Sequence, residues 1–257
     1  MLAYFGIFMI GLVVGSFLNV CIHRIPLQKS VMWRSSQCPH CATPIKLYDN
    51  IPLLSYVFLR ARCRSCQTPI SFRYPMVEVL NGIGYALIVW RFGWGFPSVV
   101  YAVLFSALLI VTWIDLAHQI IPDRITLPGI GLGLLCASTV LPVGLIDSFL
   151  GVVVGGGVLW GVAWISPYLF GKEGMGGGDI KLLAMVGAFL GWKPTLLTIL
   201  IGAVAGSVVG IGLILFKAIR RDQYVPFGPF LACGAIISMF YHHDILRWYI
   251  SLLTVAR

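Results

Sequence analysis

The stretch Gly174–Lys181, GMGGGDIK, decides how this chain is threaded, because it stands where a polar loop gives way to a short apolar segment. One acid, Asp179, follows a run of glycines. An ionised carboxylate is costly at a membrane boundary, so an acid placed there points to function. Gly176 and Gly178 carry no Cβ and let backbone or substrate come close to it. A plainer reading stands beside this one: Asp is a favoured N-cap, and Asp179 would then only start the helix that follows. A second acid at the same depth would separate the two readings. Asp115, in WIDLAHQIIPDR, is the candidate.

Of 257 residues, 59% are hydrophobic and only 11% charged, against roughly 25% charged in soluble domains. This is the composition of an integral membrane protein. A net charge of +9 raises nucleic acid as a partner, but the cations lie in loops between apolar runs, so a bilayer is expected and nucleic acid is not. No internal repeat is expected. The first twenty residues lack a Lys or Arg ahead of the apolar run, unlike a cleavable signal, and Leu2–Val20 reads as a retained membrane helix. Further runs near the spanning length of about 20 residues are Met76–Trp90, Pro97–Ile114, Ile125–Leu141, Phe149–Phe170, the short Leu182–Trp192, Pro194–Phe216 and Phe227–Val255. The expected fold is an all-α polytopic membrane protein of about eight transmembrane helices. Its expected parts are a first helix (1–20), a polar loop domain (21–75) and a membrane core (76–257).

Lys and Arg concentrate on the cytoplasmic side of membrane proteins. With the N-terminus outside and eight crossings, fourteen of the eighteen fall inside, eight of them between Cys21 and Pro75. Only Arg91, Lys193, Arg247 and Arg257 fall outside. Were Leu182–Trp192 not to cross, Lys217, Arg220 and Arg221 would move outside and weaken the asymmetry, so the short segment is expected to cross. Asp115 then ends the third segment and Asp179 begins the sixth, both at the cytoplasmic edge, although 64 positions apart.

The inside loop carries Cys38-Pro-His-Cys41 and Cys63-Arg-Ser-Cys66. Two C-x-x-C pairs at this separation form a tetrahedral zinc signature. Two disulfides are the competing reading, which a reducing cytoplasm disfavours. Four sulfur ligands leave no open position, so the metal is read as structural, holding a loop too small to bury much of a core. Cys21, Cys136 and Cys233 lie in or beside apolar runs and read as packing residues. The run GVVVGGGVLWG (Gly151–Gly161) lies within an apolar span, and its glycines four apart read as helix-packing contacts. Asn19 and Ser16 read as inter-helix hydrogen-bonders. No H-E-x-x-H occurs, and His118 is read as a solvated loop residue.

Two facing carboxyl groups tend to share a proton. The charged one can then take a proton from water while the neutral one donates to a carbonyl oxygen, the aspartic-protease arrangement. Asp123, behind Pro122, is a rival for Asp115, but it opens the next helix, where capping is natural. Asp115 is therefore preferred as catalyst, with Asp123 and Lys181 in support.

GMGGGDIK resembles the G-x-G-D motif of bacterial type IV prepilin peptidases. GSFLNVCIHRIP (Gly15–Pro26), the two cysteine pairs, ISFRYPMVE (Ile70–Glu78), DLAHQIIPDRITLP (Asp115–Pro128) and PFGPFLACG (Pro226–Gly234) resemble that family's other blocks, in order along nearly the whole chain. The resemblance implies an inner-membrane enzyme that cuts the basic leader from type IV prepilins or pseudopilins, serving type IV pilus or type II secretion systems, on the cytoplasmic side. It places the proteolytic pair at Asp115 and Asp179. Retention of the cysteine loop implies a second activity, N-methylation of the new N-terminus from S-adenosylmethionine, to which no particular residue is assigned; Asn19, Arg24 and Glu78 fall in the motifs. Many members carry a third acid two residues after the first aspartate, where this chain has Ala117. Two other readings fit the intramembrane acids: a general G-x-G-D intramembrane protease, and an ion-coupled transporter.

Overall fold

The computed structural model of the chain describes residues 1–31, 37–170, 176–216 and 225–255. Gly174 and Met175 of the glycine run, the acids Glu173 and Asp222, and the cations Arg34, Lys172, Lys217, Arg220, Arg221 and Arg257 lie outside them. The helices among them are α1 (Leu2–Arg24), α2 (Leu54–Phe58), α3 (Arg73–Phe92), α4 (Phe96–His118), α5 (Asp123–Thr139), α6 (Leu145–Phe170), α7 (Gly177–Leu190), α8 (Trp192–Leu215) and α9 (Gly228–Val255), with a 3-10 turn at Leu47–Asn50. Every apolar run found in the sequence is a helix, and among the described residues no strand forms. Among the described residues four helices, α1, α4, α6 and α8, have the length and hydropathy to cross a membrane. Of the eight expected crossings, four fall on helices that meet that standard. α5, with 17 residues, and α7, with 14, are shorter than a bilayer core requires.

Two compact units divide the chain, Met1–Ile114 and Asp115–Arg257. In the first, α1 and α3 run antiparallel in a register that contacts make plain. Gly11 meets Gly82, Gly15 meets Glu78, and Asn19 meets Tyr74. A Cβ on Gly15 would stand 2.7 Å from the Glu78 Cα, so the backbones approach as only small residues allow. The seam is tied by amides: Asn81 donates to the Gly11 carbonyl at 2.8 Å and Asn19 to the Tyr74 carbonyl at 3.0 Å. Asn19 is therefore the inter-helix bonder its sequence position indicated.

In the second unit α7 is the hub. It packs against α5, α6, α8 and α9, and Leu182 through Leu190 are all buried. At 14 residues α7 is about 21 Å long, so its burial comes from neighbouring helices on every side. Gly151 and Gly155 of α6 seat against it; a Cβ on Gly155 would stand 2.6 Å from the Leu183 carbonyl oxygen. Gly157 and Gly161 face open space, so only the first half of that glycine run is a packing surface. Gly191, at φ +81°, makes the tight turn from α7 into α8. α9 runs unbroken through the polar patch Tyr241–Arg247, because helix hydrogen bonds are satisfied within the segment whatever the side chains.

Candidate active site and metal centre

In the first unit, the cysteine loop is built from two copies of one knuckle. CPHCATPI at residues 38–45 and CRSCQTPI at 63–70 superpose in sequence, which corrects the expectation of no internal repeat. A period of 25 residues with only two copies is easily passed over, but the backbone repeats it bond for bond. Bridges Gln37–Pro44 and Arg62–Pro69 close the two knuckles. The amides of Cys38 and Cys63 donate to the carbonyls of Thr43 and Thr68 at 3.0 and 2.9 Å. Ala42 and Gln67, each following a second cysteine, take left-handed φ of 56° and 57°.

The result brings Cys38, Cys41, Cys63 and Cys66 together, with their sulfurs all within 4.8 Å of one another and Cys38 and Cys66 3.8 Å apart. Sulfurs on one tetrahedral ion, each about 2.3 Å from it, stand close to this far apart, whereas a disulfide needs about 2.05 Å. All four are free thiols. The four-cysteine cluster thus has the donor set and spacing to hold a metal such as zinc. Sequence reading missed a further pair: Thr43 Oγ1 is 3.2 Å from Cys41 Sγ and Thr68 Oγ1 3.2 Å from Cys66 Sγ. Against a thiolate each hydroxyl is the donor. The shared C-x-x-C-x-T-P-I pattern was the signal for them. Arg64, inside the second knuckle, forms a two-pronged link to Asp49 at 2.8 and 2.6 Å and holds that carboxyl below the usual carboxylate range. Between residues 37 and 72, Cys38 is the only buried residue among those described. The loop has almost no core of its own, and a metal held by the four sulfurs would supply the cross-link it lacks.

In the second unit lie both acids. Asp115, near the end of α4, and Asp179, in the first turn of α7, are each only 4% exposed. The Asp115 Oδ2 accepts the Gly228 amide at 2.9 Å, at the start of α9. Ile121 forms a wall common to the two acids' surroundings. A Cβ on Gly228 would stand 2.6 Å from Asp115 Oδ2 and 3.3 Å from Ile121, and one on Gly178 would stand 2.8 Å from Ile121. Asp179 Oδ1 is buried with no hydrogen-bonding partner.

The capping reading of Asp179 does not hold. The N-cap of α7 is Gly176, and no side chain caps it. Asp179 sits one turn in, where the helix dipole favours its negative charge. Asp123 is no cap either; it opens α5 behind Pro122 and pairs with Lys181, whose Nζ lies 2.8 and 2.7 Å from its two oxygens. That pair is exposed, unlike Asp115. The structure therefore joins two of the expected supporting residues, Asp123 and Lys181, in a link between the starts of α5 and α7. Gly178 is sterically required, whereas a Cβ on Gly176 would meet Asp179 at 3.7 Å, an ordinary contact. His118 ends α4 in an exposed position. Gly228 was quoted in the sequence but given no role, since nothing local shows that its amide reaches a residue 113 positions away.

Two family models match the chain: one described as the bacterial peptidase A24 N-terminal domain, over residues 9–92, and one described as the type IV leader peptidase family, over residues 102–211. The four cysteines fall in the first match and both acids in the second. Among curated proteins, the prepilin leader peptidase/N-methyltransferase of Aeromonas hydrophila is 38% identical, over 96% of this chain and 94% of its own length. That of Stutzerimonas stutzeri is 38% identical over 94% and 92%, and that of Pseudomonas aeruginosa 36% over 95% and 92%. No solved structure matches the chain.

Proposed function

The chain belongs to the type IV leader peptidase family, and on that footing we propose that it is a membrane enzyme that removes the leader peptide of prepilins and N-methylates the product. Asp115 and Asp179 carry the peptidase step. One carboxylate takes a proton from the attacking water, and the other, protonated, donates to the scissile carbonyl oxygen. The observation that carries this assignment is the pair of buried acids sharing the Ile121 wall, one held by the Gly228 amide and the other with a free oxygen. That free Oδ1 is where a shared proton or the attacking water is held. The Lys181–Asp123 link and Gly178 keep the start of α7 in place, and Gly176 is the N-cap of that helix.

The metal is zinc, in a structural role, and the cysteine loop (21–75) is a domain inserted between the first helix (1–20) and the membrane core (76–257). The chain spans the inner membrane eight times with its N-terminus periplasmic, as the distribution of Lys and Arg supports, and both the loop and the acids face the cytoplasm. The substrates are type IV prepilins or pseudopilins. S-adenosylmethionine supplies the methyl group. In the first unit, the buried Glu78 carboxylate and the unpartnered Asn19 Oδ1 lie on one seam and are acceptors suited to an ammonium group. Both the methyl donor and the new N-terminus carry one.

The test is cleavage of a prepilin by the full-length enzyme in proteoliposomes. Asp115→Asn and Asp179→Asn should each lower the rate by about 10²–10⁴-fold, the range for loss of a general acid or base. Full cleavage by either variant would remove that residue from the chemistry.

A further inference from the structure

The short helix α2 has no buried residue. Its apolar side chains are turned outward instead: Leu54, Val57 and Phe58 are 54, 70 and 80% exposed, and Ile51, three residues before Leu54, is exposed too. A soluble loop would not be expected to present such a patch to water. Two cations that follow it directly, Arg60 and Arg62, are also exposed.

Hydrogen bonding sets the depth of this patch. The amide of Leu53, the residue before α2, donates to Glu78 Oε2 at 2.9 Å. Glu78 packs on Gly15 of α1, nine residues before Arg24, the first cation of that helix. At 1.5 Å per residue that is roughly 13 Å along the axis. The Glu78 side chain leans back toward the start of α3, which recovers part of the distance. Leu53 nevertheless remains level with the apolar part of α1, below its terminal cation. Leu53 is itself held at φ +60°, a conformation that costs a non-glycine residue about 1 kcal/mol or more, so the bond to Glu78 draws the loop down against a local preference.

We propose that α2 is an interfacial helix: Leu54, Val57 and Phe58 insert into the acyl edge of the leaflet on the loop's side, and Arg60 and Arg62 lie on anionic lipid phosphates. A short apolar tip beside cations is the arrangement by which peripheral segments bind a membrane surface. The loop is then fixed at three places, by α1, by α3 and by the lipid, which a module with so little core requires. The proposal stands independently of the peptidase assignment.

The experiment places an environment-sensitive fluorescent amino acid at position 57 of the full-length protein in vesicles of phosphatidylglycerol and phosphatidylcholine, with position 65 as the exposed control. Lipids brominated about 5–10 Å below the headgroups should quench the label at 57 severalfold more than that at 65. Arg60→Glu with Arg62→Glu should weaken that quenching, while metal content, measured on the same sample, stays unchanged. Equal quenching at the two positions overturns the proposal. So does a label at 57 that changes only when a prepilin is added, which would make the patch a peptide-docking surface.

Discussion

Cys38 and Cys66 are 28 residues apart with sulfurs 3.8 Å from each other, and each knuckle folds on itself through its own amides. Asp115 and Asp179 are 64 residues apart, and no local bond joins them; the start of α9 must be in place before Gly228 reaches Asp115, and Ile121 stands against both Gly228 and Gly178. The metal site is thus written into a short piece of chain, and the acid site into the packing of a bundle. Damage should accordingly stay within each.

The largest effects break the two sites separately. Asp179→Asn should lower leader cleavage about 10²–10⁴-fold and leave one metal per chain, measured by elemental analysis. Cys63→Ser should do the reverse: the metal is lost and the loop opens to protease, while leader cleavage persists at a reduced rate. Loss of cleavage as complete as in the aspartate variant would show that the two sites are not separable.

Next comes the packing itself. Gly228→Ala places a methyl group 2.6 Å from the Asp115 oxygen, and a displacement near 1 Å at a catalytic group costs about 10²-fold in rate. Gly176→Ala meets only an ordinary contact and should leave kcat nearly unchanged. Equal effects from the two would mean that space beside the acids does not matter.

A smaller effect tests the locally built site. Thr43→Val removes the hydroxyl 3.2 Å from Cys41 Sγ and should lower metal affinity about 10-fold or somewhat more, read by competition with a chelator, with leader cleavage unaltered. The smallest is Lys181→Met. The Lys181–Asp123 pair is exposed, and such pairs contribute about 1 kcal/mol or less, so thermal stability and cleavage should both change only slightly. A loss as large as that of Gly228→Ala would make the pair part of the chemistry.

The same contrast explains what could be read from the chain in advance. The helices were visible because continuous apolar runs leave a backbone no other way to satisfy its hydrogen bonds in lipid. The four cysteines were visible because tetrahedral ligation by two knuckles imposes a spacing. Thr43 and Thr68 were equally legible and were missed only with the repeat that contains them. Gly228 was not legible, nor was the pairing of Asp123 with Lys181, because each joins residues from different helices. The cap reading of Asp179 could not be dismissed from sequence, since an acid three residues into a helix and one at its cap look alike until the first turn is seen.

By itself, then, the sequence determined a helical membrane protein, a four-cysteine metal loop and two candidate acids, all matters of periodicity, hydropathy and short spacing. Tertiary structure alone decided that α7 is walled by α5, α6, α8 and α9, that Asp115 is the acid held by Gly228, and that Leu53 is drawn down to Glu78. Each of those depends on which helix faces which, and a side chain's neighbours across a bundle leave no mark in its local sequence.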